Sequence, residues 1–296
     1  VSRIRQIDPA DFDSTSGTGP AAEVRRIAEA CDVADGVITL NEQACLQLKY
    51  RGLRDASLWL GDGGFALLHG QILDLAVHPD SRGQGVGLEL ARLALAGTSR
   101  VEAWSHSDHP AAAKIAERLG IPRERELRIM SRPTSLPLAE AVVPEGIVIR
   151  TFEPSDEPEF LAVNAHAFAR HPEQGHMTSE DFRERVNEAW FDAEGLFLAV
   201  PEDPSDKTIL GFHWTKVHVD EDPPYGEVYV VATNPKAAGR GLGGVLTNVG
   251  LRYLADRGVG EVILYVDGDN TPAIAVYDRQ GFTTLRTEVQ YRGATL

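Results

Sequence analysis

The sequence predicts an α/β (α+β) protein of two tandem domains, each a mixed, mostly antiparallel sheet flanked by helices. Three observations predict it. An apolar strand, a proline-marked turn and a basic glycine-rich loop occur twice, 156 residues apart, at Gln71–Gly87 (QILDLAVHPDSRGQGVG) and Glu227–Gly243 (EVYVVATNPKAAGRGLG). The halves begin alike, since Ile4-Arg5-Gln6-Ile7-Asp8-Pro9 parallels Ile149-Arg150-Thr151-Phe152-Glu153-Pro154, a short strand running into an acid-proline helix start. They also end alike: Ala103–His109 precedes a helix closing at Gly120, and Leu264–Asn270 precedes one closing at Gly281.

A chain of 296 residues suits two domains of roughly 150 residues each. Residues 132–146 hold three prolines, Pro133, Pro137 and Pro144, and end on Gly146, the punctuation of an extended connection. The expected boundaries are a first domain over 1–136, a linker over 137–146 and a second domain over 147–296. Each half reads as strand, helices, antiparallel strands, glycine loop, helix, strand, helix, strand. The helix after the second loop sets Leu242, Val245, Leu246, Val249 and Tyr253 on one stripe. The strand before it alternates, so Glu227, Tyr229 and Val231 are expected on one face and Val228 and Val230 on the other.

Charge narrows the function classes. A net charge of −15 argues against a general nucleic-acid surface and suits a small cationic substrate. No apolar run approaches the roughly 20 residues of a membrane span, and no signal peptide is visible, although a chain opening at Val1 leaves room for a trimmed leader. Cys31 and Cys45 make no CxxC pair, as expected of thiols in a reducing cytoplasm. The pairs His106/His109 and His213/His218 lack the helical spacing and carboxylates of a zinc site, so no metal is expected. Two related domains in one chain mimic a dimer, and a monomer is expected.

The second loop, Gly239-Arg240-Gly241-Leu242-Gly243-Gly244, lets backbone approach a ligand and aims N–H groups outward at a helix start, which favours a pyrophosphate. It is not a P-loop, because no GK[ST] follows, and no acid closes a dinucleotide fingerprint. Arg82-Gly83-Gln84-Gly85-Val86-Gly87 resembles the (Q/R)xxGx(G/A) signature of the GCN5-related N-acetyltransferases. Residues Ala238–Gly243 match it except at the first position, where alanine replaces Gln or Arg. The resemblance covers both halves. It is sharpest over Ala167–Gly175, Gly211–His218, Gly226–Val230 and Leu264–Asn270, and points to a tandem branch of that superfamily.

That resemblance implies transfer of acetyl from acetyl-CoA to an amine. Glu227 is then the expected general base, the backbone N–H near Val231 the oxyanion donor and Tyr277 the general acid that protonates the leaving thiolate. In the second half the cofactor is expected at Val231, Ala232 and Thr233, at Ala238, Gly239, Arg240, Gly241, Leu242, Gly243 and Gly244, and at Asn270, Thr271, Pro272, Ala273, Ile274 and Ala275. The matching positions of the first half are Leu75, Ala76, Val77, Gly83, Gln84, Gly85, Val86, Gly87 and Leu88, with His109 in the place of Asn270. The implied acceptor is a small thiol-sugar, the cysteinyl amine of a cysteine–glucosamine–inositol pseudodisaccharide. Glu173 and Lys216 are expected on its hydroxyls, Tyr265 from a strand, and Glu42 on a short match in the first half.

The two halves are not expected to do the same work. A shift of 156 sets Gln71 at the Glu227 position, and aligning Gly120 with Gly281 sets Ala116 at the Tyr277 position. Glutamine accepts no proton at neutral pH and alanine donates none. The first half is therefore expected to bind acetyl-CoA or to brace the second, without turnover. Two other readings stay open: a tandem acetyltransferase for a protein N-terminus or an aminoglycoside, and an acyl-CoA-binding sensor with no catalysis.

Overall fold

The computed structural model describes residues 3–138, 140, 142–169, 174–237 and 239–295. Its chain forms two compact units that are not contiguous in sequence. One holds residues up to Arg128 together with Asp267–Asp269 and the segment from Arg286; the other holds Ile129–Val266 and Asn270–Leu285. Each unit is an α/β body with a mixed sheet.

The first unit orders its strands β1 (Arg5–Gln6), β2 (Ala56–Gly61), β3 (Gly64–His69), β4 (Ile72–Val77) and β5 (Arg100–Ser105). Strands β1 to β4 pair antiparallel, and β4 meets β5 in parallel only at Ile72↔Glu102. The outer neighbour of β5 is the end of the chain, Val289–Ala294, antiparallel to it. Helix α1 (Gly19–Asp35) buries Val24, Ile27 and Cys31 against Phe65, Leu67 and Ala76 on one face. Helices α3 (Val86–Leu95) and α4 (Pro110–Leu119) cover the other through Leu90, Ala91 and Ala116. Between α1 and β2 lies the short α2 (Glu42–Leu46).

The second unit repeats the plan with β7 (Ile147–Thr151), β8 (Leu196–Pro201), β9 (Gly211–His218), β10 (Tyr225–Thr233) and β11 (Glu261–Asp267), whose further neighbour is β6 (Arg123–Pro133), a strand that enters this unit at Ile129. One face packs on α5 (Glu157–Ala167) and α6 (Ser179–Val186) through Phe160, Phe182 and Trp214. The other packs on α7 (Leu242–Asp256) and α8 (Thr271–Arg279) through Leu251, Leu254, Val262 and Tyr277. Buried Arg132, at the end of β6, donates from Nε to the Gln280 carbonyl (2.8 Å) and from Nη2 to that of Leu136 (2.9 Å). The proline-rich connection thus starts pinned to the end of α8.

Duplication is visible in the packing. A methyl added at Gly64 would stand 2.7 Å from Leu90 Cδ1 and 3.0 Å from the Ala76 carbonyl; at Gly211 it would stand 3.0 Å from Leu246 Cδ1 and 2.8 Å from the Ala232 carbonyl. In both units the helix after the glycine loop lies so close on the sheet that its partner strand opens on a residue without Cβ.

A second close approach belongs to the second unit alone. His213 is fully buried on β9, its Nδ1 2.8 Å from the Leu246 carbonyl, and a methyl at Gly250 would fall 2.2 Å from its ring. Burial pushes the imidazole pKa down to about 4 from 6.5. The unfolded chain therefore takes up a proton that the native ring refuses until much lower pH, and stability falls as pH drops through that window. We expect Gly250→Ala to cost about 1–3 kcal/mol through overpacking, read as a lower urea midpoint at an unchanged m-value.

Candidate active site

Strand β10 organises the site through one irregularity. Its register with β9 runs Gly226↔Val217, Glu227↔Lys216 and Val228↔Thr215, then slips so that Val230 meets Trp214. Tyr229 is the additional residue, a β-bulge. The bulge breaks the alternation expected from the sequence. Val231 packs with Leu242 and Leu246 of α7, as Val228 packs with Leu251 and Leu254, whereas Tyr229, Val230 and Ala232 turn to the α5–α6 face. Glu227 and Val231 therefore occupy opposite faces, a correction to the single face expected for Glu227, Tyr229 and Val231.

At the same level β10 parts from β11, whose parallel register spans Gly226↔Val262 to Val228↔Leu264. Past it, Asn234 N–H bonds to the Leu210 carbonyl of the β8–β9 connection (2.9 Å). By strand alternation Val231 and Thr233 then aim their N–H and C=O groups away from β9, toward the gap. An extended ligand segment can pair there as an added strand.

Glu227 is 7 % exposed, and its Oε2 accepts a 2.7 Å hydrogen bond from His218 Nε2. The His218 ring stacks on its cross-strand partner Tyr225, centroids 4.3 Å apart at 20°. Lys216, opposite Glu227 in the register, holds its ammonium 4.6 Å from the Trp190 ring centroid and 5.5 Å from that of Tyr229. Tyr229 in turn accepts from Arg185 Nε at 2.8 Å. Ile263 pairs with Glu227, so Tyr265, two residues on and 39 % exposed, shares its face. The structure thus brings Glu227, Lys216 and Tyr265 to one aromatic-walled face. Glu42 opens α2 in the first unit. Glu173 and Ala238 lie outside the described residues. Sequence reasoning missed His218, Trp190 and Arg185. Only the β9–β10 pairing frame points to His218, and nothing in the linear pattern marks the other two.

The glycine loop forms as expected, twice. Gly83 and Gly85 have φ of 77° and 86°, and Gly239 and Gly241 have 80° and 72°, at the same spacing. Gly85 and Gly241 are the N-caps of α3 and α7. A Cβ at Gly239, Gly241 or Gly244 would meet no atom within 4 Å, so the cradle is open on its outer side. The first helical bond of α7 joins Val245 N–H to the Gly241 carbonyl, leaving the amides of Leu242, Gly243 and Gly244 for an anion. Arg240 Nη2 donates to the Glu145 carbonyl (3.1 Å). Asn270 caps α8, its Oδ1 accepting from Ala273 N–H at 3.2 Å, with Thr271, Pro272, Ala273, Ile274 and Ala275 in the first turns. Tyr277, further along α8, is buried edge-on to Phe282, and burial pushes its pKa up to about 12.

In the first unit the corresponding positions enclose a cavity of about 410 Å³ where β4 and β5 diverge. Leu75, Ala76, Val77, Gly83, Gly85, Val86, Gly87 and Leu88 line it, with Trp104, His106 and His109. Gln84 does not; its Nε2 lies 3.5 Å from the Asp80 carbonyl. Arg82 braces the loop through a bidentate pair with Asp35 (2.7 Å each) and an Nε bond to the Val77 carbonyl (3.0 Å). Strand register corrects one equivalence. Gln71 lies in the two-residue turn between β3 and β4, and Ile72, paired with His69 and with Glu102, holds the place that Glu227 holds against Lys216 and Ile263. Ala116 does match Tyr277, because their carbonyls accept from Ile121 and Phe282 in the same way. Among the described residues no group of three or more His, Cys, Asp or Glu side chains is placed to hold a metal ion.

Residues 54–121 and 162–282 match the acetyltransferase (GNAT) family. The chain belongs to that family. It is 48 % identical, over 92 % of its own length and 97 % of the relative's, to a mycothiol acetyltransferase of Nocardioides sp.. It is 47 % identical to that of Nocardia farcinica, over 92 % and 93 %. Among solved structures, a GCN5-related N-acetyltransferase from Sphaerobacter thermophilus superimposes with a TM-score of 0.66 at 25 % identity, over 98 % of this chain and 95 % of that one. Two GNAT folds in tandem, each with its own glycine loop, make this acetyltransferase a repeat protein. We expect Gly85→Ala and Gly241→Ala each to cost roughly 1–2 kcal/mol, because alanine resists the left-handed conformation, read as a lower denaturation midpoint.

Proposed function

We propose that this acetyltransferase moves the acetyl group of acetyl-CoA to the cysteinyl amine of cysteine–glucosamine–inositol, the last step of mycothiol biosynthesis. Near-full-length likeness to proteins named for that activity supports the acceptor. The observation that carries the chemistry is Glu227, a buried carboxylate set beside the β10 bulge on an aromatic-walled face.

The amine arrives as an ammonium and cannot attack until it loses a proton. Glu227 takes it. The acetyl-CoA phosphates lie against the open amides of Leu242, Gly243 and Gly244, and the pantetheine arm pairs with the Val231 and Thr233 main chain in the gap beside β11. The Val231 N–H then stands where an oxyanion develops. Tyr277 protonates the departing thiolate. Its burial keeps the phenol protonated well beyond neutral pH, so it is always loaded as an acid. Lys216 and Tyr265 offer a cation and a phenol to the acceptor's hydroxyls. The first unit keeps a lined cavity and an αL glycine loop but has Ile72 and Ala116 at the two acid–base positions, so we assign it acetyl-CoA binding without turnover. Cys31 and Cys45 form no disulfide, which accords with a cytoplasmic protein, and two related units in one chain accord with a monomer.

The test is a purified-enzyme assay offering cysteinyl-glucosaminyl-inositol beside peptides and aminoglycosides. The thiol-sugar should be acetylated with a kcat/KM far above the others; preference for a peptide or aminoglycoside rejects the acceptor. Glu227→Gln should lower kcat by about 10²–10⁴-fold and Tyr277→Phe by roughly 10²-fold, while in the wild type the Tyr277 phenol should give no alkaline limb below pH about 12. Full activity in Glu227→Gln rejects the base.

A further inference from the structure

We propose that His218 is the positioning and proton-release partner of Glu227. The inference rests on the reading of Glu227 as the base and concerns how that base is aimed and emptied. A buried carboxylate has two difficulties: the anion is poorly solvated, and a proton it accepts has no direct way out. The His218 ring answers both. Its Nε2 donates to Oε2 at 2.7 Å, which holds one carboxylate oxygen and leaves Oε1 to meet the acceptor nitrogen. The ring keeps its plane by stacking on Tyr225. Its side chain is 17 % exposed against 9 % for that of Glu227, and Nδ1 has no hydrogen-bond partner among the described residues, so the imidazole connects carboxylate to water.

The position is a feature of the second unit alone. In the first, β3 and β4 turn over after the pair His69↔Ile72, through Gly70 and Gln71. In the second, the equivalent pair Lys216↔Glu227 is followed by two more, Val217↔Gly226 and His218↔Tyr225, before the hairpin closes. The unit with a carboxylate has the additional rungs that seat the imidazole; the unit with Ile72 has neither. The other charged and titratable groups of this hairpin end are Lys216 across from Glu227, Tyr225 under the ring, and Asp220, Glu221 and Asp222 in the exposed turn.

Protons balance as follows. The acceptor ammonium loses two as its N–C bond forms and the C–S bond of the thioester breaks. One ends on the thiol sulfur and one reaches solvent. Glu227 takes the second and passes it from Oε2 to Nε2 of His218 in its Nδ1–H tautomer as the Nδ1 proton leaves to water. The ring is left as the Nε2–H tautomer that donates to the carboxylate, and ring-proton exchange with water restores the other tautomer.

His218→Ala and His218→Gln, assayed with acetyl-CoA and the thiol-sugar beside Glu227→Gln, test this. Both His218 variants should lose about tenfold or more in kcat with KM for acetyl-CoA unchanged. Added imidazole should restore His218→Ala and leave His218→Gln slow, because the glutamine fills the space and donates to Oε2 without titrating. Wild-type kcat in His218→Gln, or a loss in His218→Ala that imidazole does not relieve, overturns the proposal while leaving Glu227 as base. If Glu227→Gln is fully active, both fall.

Discussion

One inserted residue governs the second unit. Tyr229 bulges from β10, and three features of the local geometry go with it. It sits where the pairing with β11 stops, beside a gap into which main-chain groups of Val231 and Thr233 point. It also reverses the facing of everything beyond it, so Val231 packs against α7 while Glu227 stays with the aromatic cluster of α5 and α6. Finally, it lays the Tyr229 ring against Trp190 and Trp214, each 5.1 Å between centroids, beneath the Lys216 ammonium. A bulge is one of the few devices that re-aims side chains within a continuous strand.

The first unit shows what the same plan becomes without it. Its β3–β4 register is uninterrupted, and Ile72 occupies the level of Glu227. Where the second unit has Lys216, the first has His69, whose Nε2 donates to the buried Asp74 carboxylate at 3.0 Å. That pair lets two buried polar side chains satisfy each other. The cavity, the left-handed glycines and the helix start persist, because they depend on backbone geometry that a single strand register does not alter. Duplication thus preserved the left-handed glycine loop in both units, whereas Glu227 and Tyr277 have Ile72 and Ala116 as counterparts.

Much of this was legible in the linear pattern. Glycines at matching positions of two strand–loop–helix runs reveal a repeated cradle, since φ near +80° is a demand that few other residues meet. The runs that end at His109 and Asn270 announce a following helix in both halves, and both residues cap one. The identity of Glu227 as the carboxylate to watch also followed from the comparison of halves, although Ile72 rather than Gln71 proved to be its counterpart.

What the chain alone determined is the set of local conformations: two glycine loops, two capped helices behind them, and a carboxylate confined to the later copy. These are written in residues a few positions apart, where sterics and hydrogen bonding decide. Register was left to the tertiary structure, because a shift of one residue exchanges the two faces of a strand and is set by the neighbour it pairs with. The bulge at Tyr229, the exchange of Gln71 for Ile72 and the seat of His218 on Glu227 all depend on that cross-strand partner. So does the membership of the final strand from Arg286, which packs in the first unit although it closes the second half of the chain.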